Sequence, residues 1–156
     1  SDVCSSDLMT DKAVIFKNNR VSSVFEPSFW PYMMLTYSGE KSATSKCAAI
    51  VKNVISTDPK SADLLNSMMN QASDLCELGL KNSDFGELKD GILLCDKVFR
   101  GWGLYNETLS AHVESLLTSG AVAAKPVGSG LGGFVLSLWK EKPSGYENIG
   151  LTLEKP

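Results

Sequence analysis

At 156 residues, with 43% hydrophobic and 21% charged side chains, the chain has enough apolar material for one globular core and is neither a disordered nor a fibrous polypeptide. A formal charge of -3, with no segment dense in Lys and Arg, argues against nucleic acid or an anionic membrane surface as the main partner and toward a small-molecule substrate. No apolar stretch approaches the roughly 18 residues of a spanning helix, and nothing resembles a secretory leader. Cys4, Cys47, Cys76 and Cys95 form no C-x-x-C pair, so the expectation is a cytoplasmic protein whose thiols act as small hydrophobes.

In chain order, the opening octapeptide SDVCSSDL, Ser1 to Leu8, has neither helix nor strand period. It resembles the translation of a common sequencing-library adapter, so residues 1–8 are expected to be an assembly artefact and Cys4 drops out of the cysteine count. Two β-prone runs follow, Ala13 to Phe16 and Val21 to Phe25, around Asn18 and Asn19, which tolerate the positive φ of a tight turn; they predict a hairpin. Pro27 and Pro31 mark a candidate domain boundary, and Tyr32 to Gly39 reads as a further strand.

From Ser42 the apolar period changes to that of a helix. Cys47, Ile50, Val51 and Val54 share one face, and the helix is expected to run from about Ser42 to Ile55 before Asp58-Pro59 stops it. Leu64, Leu65, Met68, Met69, Ala72, Leu75 and Cys76 predict a second helix with Gly79 as its terminator, the Met pair being core. Asp84 with Glu87 opens a third helix with Leu88, Ile92, Cys95 and Phe99 as its buried stripe, fading near Gly101. Asn106 caps a fourth, with Leu109, Val113, Leu116 and Leu117 inward and Gly120 as its stop. His112, the only histidine, has no partner at ligand spacing on that helix and is assigned no chemistry. The runs AVAAKPVG, FVLSLW and IGLTLE then read as three strands. The expected fold is α+β, a four-stranded antiparallel sheet covered on one face by helices and preceded by the hairpin.

Between two of those strands, residues 128–133 place four glycines in six positions, GSGLGG. A Walker A loop would need Lys after Gly133, where Phe134 stands. Gly128, Gly130 and Gly133 match G-x-G-x-x-G, but a strand follows where a dinucleotide fold requires a helix. Each glycine costs about 0.5–1 kcal/mol of chain entropy relative to alanine, so their number points to close approach of the backbone to something: an anion held by successive N–H groups, or another loop carrying phosphate. Lys125 reads as a solvated strand residue. Ser129 has no neighbouring base and reads as a loop hydrogen-bonding group rather than a nucleophile.

Lys125, Gly128, Ser129, Gly130, Gly132 and Gly133, with the apolar strand after them, resemble the third motif of the GHMP superfamily, the small-molecule kinases that include galactokinase, homoserine kinase, mevalonate kinase and phosphomevalonate kinase. The segment LTYSGEKSATSKCAAIV is similar to a strand, turn and helix of mevalonate kinases, with Thr44 at the substrate-facing position. Val127, Leu131 and Phe134 depart from the motif, and a bulky residue at Leu131 is also a feature of galactokinase-like loops. The resemblance implies the C-terminal domain of such a kinase over residues 28–156, with residues 9–27 as a hairpin remnant of the N-terminal domain. It implies ATP and Mg²⁺ as cofactors, mevalonate as the phosphoryl acceptor and a full-length protein that can pair as a homodimer. Thr44 would contact substrate, and the loop Gly128, Ser129, Gly130, Leu131, Gly132 and Gly133 would line the phosphate region. Catalytic residues are expected in the N-terminal domain, so this chain alone is expected to be inactive. The alternatives are a galactokinase-like sugar kinase and a non-catalytic α+β binding module.

Overall fold

The computed structural model describes residues 12–17, 20–27, 29–144 and 150–153. The adapter-like octapeptide, Cys4, and the expected turn at Asn18 and Asn19 lie outside the described residues. β1 (Ala13–Lys17) and β2 (Arg20–Phe25) pair antiparallel, with a register shift between Ile15 and Phe16. They form a sheet of their own, separate from the main one.

The main sheet is antiparallel, in the order β4-β5-β3-β6, from β3 (Tyr32–Tyr37), β4 (Ala123–Pro126), β5 (Phe134–Trp139) and β6 (Gly150–Leu153). Its helices are α1 (Thr44–Thr57), α2 (Pro59–Asn82), α3 (Phe85–Gly101) and α4 (Glu107–Thr118). The α+β class and the four strands are as expected from the sequence.

The helices, however, cover both faces of the sheet. Alternation along a strand sends neighbouring side chains to opposite sides. Ala123, Leu138 and Met33 stand in one row and pack with Leu88 and Ile92 of α3. The adjacent row, with Ala124 and Met34, packs with Leu109, Val113 and Leu116 of α4. The expected one-sided cover does not occur, because an apolar stripe fixes which face of a helix is buried but not which side of the sheet the helix reaches.

Asp58 serves two helices. Its N–H closes α1 on Val54 O at 2.8 Å, and its carboxylate caps α2 by accepting from Ser61 N at 3.1 Å, with Pro59 at the first helical position. Gly79 does not end α2. It is buried within the helix, where a Cβ would lie 2.5 Å from Leu88 N of α3; the end comes at Ser83, in the left-handed region at φ 58°. Gly91 on α3 is likewise closed by Cys76 Sγ at 2.7 Å. Two glycines thus bring the α2 and α3 backbones together, a role that the terminator reading of Gly79 did not foresee. Met68 and Met69 pack against the α1–α3 core, as expected. Among the described residues no helix is long and apolar enough to cross a membrane.

Candidate functional site

The glycine loop closes the antiparallel β4–β5 pair, with Val127 N donating to Phe134 O at 2.9 Å. Five of its six residues, Gly128, Gly130, Leu131, Gly132 and Gly133, have positive φ. Two of the glycines answer to steric demand from the chain itself. A Cβ on Gly130 would lie 2.7 Å from Leu104 O, and one on Gly132 would lie 2.7 Å from Glu40 O. Leu131 N donates to Leu104 O at 2.8 Å and Gly133 N to Glu40 O at 2.7 Å. The close approach inferred from the glycine count is therefore made, at these two positions, to the chain's own backbone. Leu131 adopts φ 55°, a conformation disfavoured for a branched side chain, and its burial among Cys47, Val98, Trp102 and Leu104 offsets that cost.

This seating carries the loop onto the N-terminus of α1. Ser42 Oγ lies 2.8 Å from Ser129 Oγ and donates a short hydrogen bond to Gly130 O, while Thr44 Oγ1 lies 3.5 Å from Ser129 Oγ. The N-cap residue Ala43 supplies no side-chain cap, so the first N–H groups of α1 receive no side-chain acceptor from that position. Three hydroxyls and an uncapped helix start thus share one surface, with Thr44 and Gly128 exposed. Hydroxyls and helix N–H groups suit phosphate oxygens or a substrate hydroxyl. Among the described residues no group of three His, Cys, Asp or Glu side chains is placed to hold a metal ion.

Sequence reasoning brought Thr44 and the loop together only by resemblance and missed Ser42, whose hydroxyl joins them. The Ser/Thr-rich stretch after Gly39 was the available signal. It read Asn106 only as a helix cap; the structure adds bonds from its Nδ2 to Glu40 Oε2 at 3.0 Å and Leu131 O at 3.3 Å, tying α4 to the loop. His112 is partly packed, its Nε2 2.8 Å from Thr36 Oγ1 on the α4 face of the sheet. Lys125 is half-buried rather than solvated, its Nζ donating to Pro126 O at 3.0 Å and lying 5.6 Å from the centre of the Phe99 ring.

The fold has solved counterparts. The mevalonate kinase of L. major, determined in complex with R-mevalonate, superposes with a TM-score of 0.71 at 19% identity over 83% of this chain. The chain folds like part of a mevalonate kinase. The enzyme of Methanococcus jannaschii gives 0.61 at 18% identity over 80% of this chain, and that of methicillin-resistant Staphylococcus aureus gives 0.56 at 20% over 82%. This chain covers 40%, 38% and 39% of those three chains. At these identities the likeness is one of fold. No protein-family model matches the sequence, and no curated protein does either.

Proposed function

We propose that this chain is the C-terminal part of an ATP-dependent kinase that phosphorylates the hydroxyl of mevalonate, with residues 9–27 a remnant of its N-terminal domain and residues 28–156 its C-terminal domain. The observation that carries the proposal is the convergence of Ser42, Thr44 and Ser129 under the glycine loop at the uncapped start of α1. The mevalonate kinase fold gives that convergence its chemical reading.

In this reading ATP supplies the phosphoryl group, and the chain's own residues position the reactants. Thr44 Oγ1 orients the acceptor, Ser42 and Ser129 hold each other and the loop in place, and the exposed turn at Gly128 borders the transferring phosphate. Phosphoryl transfer gains most from such positioning and from charge neutralisation. Mg²⁺ would neutralise charge between the phosphates; among the described residues no group of three His, Cys, Asp or Glu side chains is placed to hold it. Among the described residues no His, Asp or Glu is hydrogen-bonded to Ser42, Thr44 or Ser129, and none of the three is therefore activated as a nucleophile.

Leu131, the residue that raised a sugar as acceptor, turns its side chain into the α1–α3 core. The test therefore sets both acceptors side by side. The parent protein, given ATP, is expected to turn over mevalonate and not galactose; galactose turnover, or neither, overturns the assignment. Thr44→Val in that protein is expected to raise the KM for mevalonate about tenfold, the loss of one hydrogen bond to bound substrate, and an unchanged KM would remove Thr44 from the site.

A further inference from the structure

A second concavity lies away from the loop hydroxyls, between the β1–β2 hairpin and helices α2 and α3. It is an open concavity of about 750 Å³, within the range of small-molecule sites. Val14, Ile15 and Phe25 wall it on the hairpin side and Met69 on α2, with Cys76, Cys95 and Lys125 also lining it.

Lys125 has no carboxylate partner among the described residues. Its Nζ gives one of its three donors to Pro126 O and rests against the Phe99 ring. The acidic residues of the cavity are engaged elsewhere: Glu77 pairs with Lys81 at 2.6 Å, and Asp74 is not a free carboxylate. Nor do the two thiols compete for the cation. Burial pushes the Cys76 pKa up to about 11 and raises that of Cys95, so both stay neutral near pH 7. The lining mixes apolar side chains with Asn70, Ser73, Asp74 and Glu77; with Glu77 paired to Lys81, the Lys125 ammonium beside Ile15, Phe25 and Met69 is complementary to an anion with an apolar body.

We infer that this cavity binds a small organic anion, with the acidic head at Lys125 and the apolar body against Ile15, Phe25 and Met69. Neither Thr44 nor the glycine loop lines the cavity, so the inference uses none of the phosphoryl-transfer residues, although its hairpin wall is the segment that the proposed function assigns to the N-terminal domain.

The test is a chemical-shift titration of the 156-residue chain with hexanoate, hexyl phosphate and the neutral 1-hexanol. Either anion is expected to shift the resonances of cavity residues and to bind at least about tenfold tighter than the alcohol. Lys125→Met, which keeps the apolar stem, should lose that tenfold preference, and Lys125→Arg should retain it. Ser73→Trp, an exposed change at the α2 wall, should weaken all three probes by occlusion while leaving the far-UV dichroism unchanged. Equal affinity for alcohol and anions, an undiminished preference in Lys125→Met, shifts confined to residues outside the cavity, or no binding of either anion at millimolar concentration would each overturn the inference. Because no ATP is present in the titration, none of these results bears on the kinase reading.

Discussion

At the scale of single residues, the glycines of the loop differ in what they do. Gly132 combines φ 124° with a backbone oxygen 2.7 Å from where a Cβ would stand, whereas Gly128, at φ 80°, has nothing within 4 Å. Gly132→Ala is therefore expected to cost about 2–4 kcal/mol, from strain and from forcing apart the Gly133–Glu40 hydrogen bond. Gly128→Ala is expected to cost about 1–2 kcal/mol, from backbone strain alone. Urea unfolding of the two variants checks the order, and equal losses would mean that the contact with Glu40 does not hold the loop. His112 offers a second residue-scale test. Burial lowers its pKa below the ordinary 6.5. Between the lowered folded value and 6.5 the unfolded chain binds more protons, so stability rises with pH. The contribution is fully present above about pH 6.5, is lost as pH falls below it, and levels off under the folded value. Urea midpoints at pH 7 and pH 5 should differ more in the wild type than in His112→Gln, and identical differences would contradict the assignment.

At the scale of elements, caps decide where helices begin, and two of them are not equivalent. Asp84 caps α3 by accepting from Glu87 N at 3.0 Å. Asn106 caps α4 by accepting from Leu109 N at 2.9 Å, and its amide also reaches Glu40 and Leu131. Asp84→Ala should cost about 1 kcal/mol, an ordinary cap loss. Asn106→Ala should exceed it by roughly 1 kcal/mol, because carbonyl and carboxylate partners on two other segments lose their donor. Thermal unfolding of both variants measures the difference, and equal costs would show that the extra bonds add nothing.

At the scale of the whole molecule, three distant segments meet at the candidate site: 40–44 at the start of α1, Leu104 to Asn106 before α4, and the loop at 128–133. They make a wall of hydroxyls and backbone whose one carboxylate, Glu40, is bonded to Asn106 rather than to a hydroxyl, and among the described residues no group of three His, Cys, Asp or Glu side chains is placed to hold a metal ion. The 156-residue chain by itself is accordingly expected to consume no ATP in the presence of mevalonate or galactose. Reproducible turnover, measured as nucleoside diphosphate release, would contradict the proposed division of labour between two domains.

What was legible in the sequence was local. Apolar spacings of three and four placed all four helices, alternation placed the strands, and Asp84 and Asn106 announced their caps, because each signal is set by residues within a turn or two of one another. The glycine count also stated correctly that the backbone must come close to something. What it approaches was a tertiary matter. Glu40 and Leu104 are far from Gly132 and Gly130 along the chain, and no local period encodes that contact. For the same reason Gly79 passed for a helix stop until α3 lay across it, Ser42 went unnoticed until Ser129 stood beside it, and Lys125 looked solvated until its ammonium came to rest against Phe99. The sequence by itself determined the elements, their order and the α+β class, since short-range sterics and apolar periodicity suffice for those. Only the tertiary structure decided that helices cover both faces of the sheet, that hydroxyls from segments more than eighty residues apart converge, and that a lysine lines a cavity, because those outcomes depend on long-range packing.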